Sequence, residues 1–310
     1  MQSNLIDTSL LRQGGVIKRI RRLFCRGVFI VMFLPGIILF SCTKIIPAIN
    51  DEEPHQYVLN SLFTPDRPIE VFISQTIPIL EKQIYAQDDE WDIKLYEDSI
   101  LLPLNPAFTD SSYMIDYSVI PGSQYRIEAL NMKNGHLLTA EDVVPQIVEL
   151  RELANVYPLY TDRHETIFGQ LTFKFLDDGG DPNFYEIVVG RVRSNRFKAV
   201  HTYKVTHPVI TFDSEKDAYP LTLLFTNDVF RGDELAMDII IEGAGGAIIL
   251  RKVSYNYFMY KRHLYAHLDN QNRDKDLSEV TDPVMLYSNV ENGMGIFASF
   301  CKDMKWVDGY

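Results

Sequence analysis

Cysteine is scarce in this chain. Its 310 residues hold three: Cys25, Cys42 and Cys301. The first lies in an N-terminal basic region and the second just after the apolar run that follows it, so the body of the chain has one thiol and no intramolecular disulfide. Cys301 follows the apolar run Ile296 to Phe300 and reads as a small core hydrophobe, not a nucleophile. Long apolar stretches are missing too. Past Cys42 nothing approaches the ~20 residues that a membrane helix needs. Basic charge is short, with 30 Lys and Arg against 42 Asp and Glu and a net charge of −12. Arg12, Lys18, Arg19, Arg21, Arg22 and Arg26 precede Cys42 against Asp7 alone, so the remainder is more acidic still. Phosphate-dominated binding demands Lys and Arg, which excludes nucleic acid as a partner. No G-x-S-x-G elbow occurs, so a serine hydrolase of the usual kind lacks its nucleophile turn.

What is present begins with an export signal. Lys18 to Arg26 form a basic region, and Gly27 to Phe40 an apolar one interrupted by Pro35. Leu39-Phe40-Ser41-Cys42 then reads as a lipobox, with an aliphatic residue three before the cysteine and a small one just before it. Residues 1–41 are therefore expected to be a lipoprotein signal peptide, with Val16 an alternative start. Cys42 is the expected lipidation site and the link to the membrane. Residues 42–56 read as a tether, broken by two prolines and an acidic cluster.

After the tether the dominant period is two. Ile69, Val71 and Ile73, then Trp91, Ile93 and Leu95, then Tyr125, Ile127 and Ala129 alternate with outward-facing neighbours. Such segments are half-buried strands. Thr64 to Pro68, Pro121-Gly122 and Asn134-Gly135 punctuate them as turns. An all-β chain follows, with a β-sandwich of immunoglobulin or fibronectin kind over 57–150. A second β domain, 151–310, holds Leu171, Phe173 and Phe175 in alternation, and a hairpin at Gly243-Ala244-Gly245-Gly246. Between them Leu150, Leu153 and Val156 stand at roughly helical spacing, which predicts a short stiff connection. One amphipathic helix is predicted at about 255–268. Ser254 is its N-cap, Tyr257, Tyr260, Leu264 and Leu268 form its apolar stripe, and the polar run from Asp269 ends it.

Candidate chemistry is thin. His263 and His267 have the i, i+4 spacing of a zinc pair, but Leu264 stands where a metalloprotease needs Glu, and no third ligand is near. They read as helix-boundary residues. Asp177, Asp178 and Asp181, around Gly179-Gly180, lack the EF-hand spacing and read as solvated turn carboxylates. The glycines at 243, 245 and 246 precede a β-rich run, not the helix a phosphate loop needs. No catalytic, metal or cofactor residue is assigned. Tyrosines are dense near the helix, and Tyr257, Tyr260 and Tyr265 are candidate partner-interface residues, with core packing as the alternative.

Five segments carry a resemblance: YVLNSLFTPDRPIEVFISQT (57–76), IKLYED (93–98), IPGSQYRIEA (120–129), LTAEDVVP (138–145) and PVMLYSNVENGMGIFASF (283–300). Together they resemble the Bacteroidetes lipoprotein family catalogued as domain of unknown function 4249, the run Tyr287 to Phe297 being the most specific piece. The resemblance implies an outer-membrane lipoprotein that is an accessory of a TonB-dependent transporter, and it carries over no catalytic residues. Thr43-Lys44-Ile45-Ile46, and not acids, follow the lipidated cysteine, so both faces of the outer membrane stay open. The expected role is non-catalytic binding in nutrient uptake. The rivals are a surface hydrolase acting on glycan or peptide, and a structural envelope lipoprotein.

Overall fold

Alternation of apolar residues builds the first sandwich strand by strand. In the computed structural model, which describes residues 55–76, 90–180, 182–193, 196–199, 202–205, 222–273 and 284–307, strands β1 (Tyr57–Phe63) and β2 (Ile69–Gln75) turn Leu59, Phe63, Ile69 and Val71 to one face, all fully buried. Strand β3 (Trp91–Glu97) buries Trp91, Ile93 and Leu95. After β4 (Ile100–Leu101), β5 (Ala107–Thr109) and β6 (Ser112–Ile115), β7 (Gln124–Asn131) buries Tyr125, Ile127 and Ala129, and β8 (Leu137–Val143) buries Leu138 and Ala140. These side chains form one core between the sheet β4-β3-β7-β8 and the strands β1-β2-β6-β5.

The second sandwich repeats the plan. Strands β9 (Leu150–Thr161), β10 (Ile167–Leu176) and β15 (Glu234–Glu242) join β13 (Thr202–Val205) in the order β13-β15-β10-β9. Opposite lie β11 (Phe184–Arg193), β12 (Arg196–Ala199), β14 (Thr222–Thr226) and β16 (Gly246–Val253). Leu171, Phe173, Phe175, Tyr185, Ile187, Ile239 and Leu250 fill the space between them.

The last strand, β17 (Met294–Val307), joins the two halves. It runs parallel to β1 and antiparallel to β16, which makes one continuous path β12-β11-β16-β17-β1-β2-β6-β5. Phe297 and Cys301 enter the first core, and Val307, on the same face of the strand, packs on the second. Both smaller sheets thus cover one face of the shared sheet. Ile296, Ala298 and Phe300 point to the other face, under the helix α1 (Tyr255–Arg273). Gly295 is required where β17 meets β1. Its φ is +116°, and a Cβ there would lie 2.0 Å from the Leu59 carbonyl oxygen. Near residue 150 the first core ends at Val144 and the second begins at Val148, while β17 lines both, and Pro54–Tyr310 forms one compact unit.

Two local expectations change. The stretch with helical spacing is a strand, β9. Leu150 pairs with Phe175 and Leu153 with Phe173, both facing inward although three residues apart, because the register shifts between Lys174 and Phe175. A β-bulge there imitates a helical interval. The helix is also longer than 255–268 and runs on to Arg273. Ser254 caps it as expected, accepting from the Tyr257 N–H at 3.2 Å. Its buried face is led by Tyr257 and Phe258, with Tyr260 and Tyr265 behind them, while Leu268 is 44% exposed. Among the described residues no helix is long and apolar enough to cross a membrane.

Candidate functional site

A depression of about 570 Å³ opens where the first sandwich, the second sandwich and the start of α1 meet. Val143 to Gln146, from the end of β8 into the link to β9, line one side, and Pro182 to Phe184, leading into β11, line another. Lys252 to Tyr255 complete it. The walls are mainly apolar. The Gln146 amide lies against the bare α-carbon of Gly122, and the Tyr255 ring, 54% exposed, stands 5.7 Å from that of Phe184. Small-ligand sites favour such junctions, with apolar walls and a few polar groups.

Three buried carboxylates surround this junction, and all are occupied. Asp142 takes the inward position after Leu138 and Ala140 on β8. It accepts from Ser299 N at 2.7 Å, Ser299 Oγ at 2.6 Å and Asn256 Nδ2 at 2.9 Å. Burial pushes its carboxyl up to about 6, although Ser299, Ser254 and Asn256 pull it down. Asp177 follows β10. It accepts from Tyr185 Oη at 2.5 Å, Asn183 Nδ2 at 2.7 Å, Asn227 Nδ2 at 3.1 Å, Gly232 N at 2.7 Å and Gly179 N at 3.0 Å. Burial opposes its charge, yet these donors hold its carboxyl down at about 2. Its neighbour Asp178 pairs with Lys252 Nζ at 2.5 Å. The expectation of solvated turn carboxylates is thus corrected for Asp177, which is 2% exposed. Its oxygens tie the β10–β11 loop to the β14–β15 loop. Asp181 lies outside the described residues.

The third is Glu186, fully buried beneath α1. It stands directly across the ladder from Arg251 and accepts from Arg251 Nη1 at 2.5 Å, Tyr257 Oη at 2.7 Å and Tyr265 Oη at 2.8 Å. Burial disfavours its charge, but Arg251 and Lys261 hold the carboxyl below its ordinary value. Burial and Glu186 raise both tyrosines, which stay protonated donors. The residues singled out as a tyrosine interface are therefore turned towards the sheet. Tyr257 is 1% exposed, Tyr265 spends its hydroxyl on Glu186, and Tyr260 packs partly buried against the same cluster. Tyr255 is the exposed ring of the first turn.

The family model described as domain of unknown function (DUF4249) matches residues 43–305. The chain belongs to the DUF4249 family. No curated protein matches it. Among solved structures it is similar to a β-glucuronidase of Parabacteroides merdae with glycerol in its active site, at 6% identity and a TM-score of 0.22. The match covers 64% of this chain and 23% of the enzyme, so the chain spans under a quarter of that protein, and a likeness this low carries no argument.

In this DUF4249 chain the segment from Tyr287 to Phe297 is a stitch. Tyr287 Oη donates to Asn256 Oδ1 at 2.7 Å. Asn289 bonds both the N–H and the carbonyl of Phe297, and the Glu141 carbonyl besides. Glu291 makes an antiparallel bridge with Thr139 and accepts its hydroxyl, while Asn292 donates to the Leu137 carbonyl. Every one of these bonds fastens β8, β17 or α1 to its neighbour.

The remaining candidates have plain places. His263 Nδ1 meets the Met285 carbonyl at 3.1 Å. His267 lies in the fourth turn of α1. Among the described residues no three His, Cys, Asp or Glu side chains gather as metal ligands would. Cys301 is buried, its thiol pushed up to about 11 by burial. Cys42 lies outside the described residues. Sequence reasoning missed Asp142 and Glu186, although both carry a signal: Asp142 is a carboxylate at an inward position of an alternating strand, and Glu186 is the sole carboxylate of the apolar strand β11.

Proposed function

We propose that this protein is an outer-membrane lipoprotein, anchored by lipid on Cys42, that serves a TonB-dependent transporter as a non-catalytic, ligand-binding accessory in nutrient uptake. The observation that carries the binding part is the apolar depression at the three-way junction, walled by both sandwiches and the start of α1. The buried carboxylates beside it are held by donors in cross-links, which suits a rigid receptor body. The anchoring part rests on the lipobox. Confinement to the transporter's membrane raises effective concentration, so a modest interface suffices.

Two measurements test the two parts. Palmitate labelling should mark the wild-type protein, and Cys42→Ala should abolish the label and release the protein or stall its processing. A variant still labelled and membrane-bound would end the anchoring reading. Affinity purification from crosslinked native membranes in mild detergent should recover an outer-membrane barrel. Tyr255→Ala with Val143→Arg, both at exposed positions of the depression, should reduce that recovery while the fold is kept. Repeated recovery of the lipoprotein alone would refute the accessory role.

A further inference from the structure

Two polar atoms are left bare inside the second sandwich. Arg191 Nε and Asn155 Oδ1 are shielded from solvent, and neither meets a hydrogen-bond partner. They come from opposite sheets and face the same space. Asn155 pairs across β9–β10 with Leu171, which points inward and is fully buried, so Asn155 points inward as well. On β11, Tyr185, Ile187 and Val189 point into that space from the other side, and Arg191 is next in the alternation. One step past the ladder pair Gly190–Ala247, it stands opposite Gly246. Leu171 links the two, because its Cδ1 lies 2.5 Å from where a Cβ of Gly246 would be.

The Arg191 guanidinium is spread over the hairpin between β15 and β16. Nη2 lies 2.6 Å from the place where Gly243 would carry a Cβ, and Gly243 has φ +79°. Only glycine leaves that room. Among the described residues no carboxylate forms an ion pair with Arg191, although the chain carries 42 acidic residues. Glu242, just before the hairpin, alternates with the inward Ile241 and so lies on the outer face. A desolvated donor without an acceptor is costly. Guanidinium presents adjacent N–H groups that suit an oxyanion side-on. The Asn155 amide is fixed by no hydrogen bond of its own and can offer its NH₂ to the same anion.

We propose that this end of the second sandwich binds a small oxyanion, a carboxylate or phosphate group, between Arg191 and Asn155. The site is separate from the junction depression, so it stands or falls independently of the transporter reading.

Full-length protein in detergent, titrated with inorganic phosphate at constant pH and ionic strength, should show saturable heat and a saturable rise in thermal midpoint. Acetate in parallel tells a carboxylate preference from a phosphate one, and saturation by either supports the site. Arg191→Gln should weaken the affinity at least ~tenfold, as loss of a charge-assisted bond does. Arg191→Lys, which keeps the charge but lacks Nε, should weaken it less. Circular dichroism checks that each variant is folded. If Arg191→Gln fails to fold, Asn155→Ala carries the test, and it should weaken binding several-fold. No saturable binding of either anion would overturn the proposal and leave the two atoms bridged by water. Equal affinity in the wild type and a folded Arg191→Gln, or in Asn155→Ala if that variant has to serve, would overturn it too, as an adventitious ion only.

Discussion

Asp142 and Asp177 are both buried, at 5% and 2% exposure, and both are hydrogen-bonded, yet their carboxyls shift in opposite directions. Asp177 closes a loop tie at one end of the second sandwich, with five donors, among them two backbone N–H groups and the Tyr185 hydroxyl. Asp142 sits where the first sandwich, the shared sheet and the helix start meet, with Ser299 N, Ser299 Oγ and Asn256 as donors. Burial works against both charges. At Asp177 the five donors outweigh it, whereas at Asp142, which is more deeply enclosed, the donors from Ser299, Ser254 and Asn256 do not. The difference teaches that a buried carboxylate reports the balance of desolvation and donors, not burial alone. Glu186 extends the comparison, since a full positive charge, Arg251, tips the balance there.

The largest test breaks the Asp177 tie. Asp177→Ala orphans several donors at once, and should lower the free energy of unfolding by about 3–5 kcal/mol at pH 7. Asp177→Asn keeps one acceptor oxygen and should cost less. Urea denaturation of the two variants against the wild type measures both. A cost below about 1 kcal/mol for the alanine variant would mean the loops are held by something else. The sign with pH follows from the lowered carboxyl. Stability from Asp177 is fully present above its unfolded value of about 4 and is lost as pH falls through 4 towards 2.

The strands of the two sandwiches were legible because alternation is a local property. Trp91, Ile93 and Leu95, or Leu171, Phe173 and Phe175, declare their faces without help from the rest of the chain. The cap at Ser254 was legible for the same reason. Strand β9 was not, since its bulge gives Leu150 and Leu153 a helical interval. The interior side of the helix was visible only in part. Apolar spacing pointed to Leu268, but the polar partner Glu186, 71 residues from Tyr257, draws the tyrosine hydroxyls inward. The Asp142 cluster joins residues 157 apart, a pairing that the β1–β17–β16 path creates and that local pattern does not contain.

A smaller effect separates the two aspartates by pH. Asp142 has a native value of about 6 against roughly 4 unfolded, so the native state takes its proton more readily. Its contribution is complete below pH ~4 and is lost as pH rises through 6. The wild type should therefore gain about 1–3 kcal/mol between pH 7.5 and 5, beyond any change seen in Asp142→Asn. Urea unfolding at half-unit pH steps in both proteins gives the difference. Identical slopes would remove Asp142 from the list of titrating groups, while a slope of opposite sign would mean its donors outweigh burial as they do at Asp177.

The smallest effect comes from single hydroxyls, where the comparison is cleanest. Ser299→Ala removes one donor from Asp142 and leaves the backbone N–H in place. Tyr185→Phe removes one donor from Asp177. Each should cost about 1 kcal/mol or slightly more at pH 7.5. The hydroxyl of Ser299 favours the ionised carboxylate, so its loss lifts Asp142 further, and the cost should shrink by pH 5 as the carboxyl takes a proton. Asp177 starts from about 2 and stays ionised across that range even without the tyrosine hydroxyl, so the cost of Tyr185→Phe should be the same at pH 5 and pH 7.5. The same change, one O–H lost, is thus expected to be pH-dependent at the junction and pH-independent at the loop tie. Parallel unfolding curves of the two variants at both pH values decide it, and a pH-independent cost for Ser299→Ala would place Asp142 in the same class as Asp177.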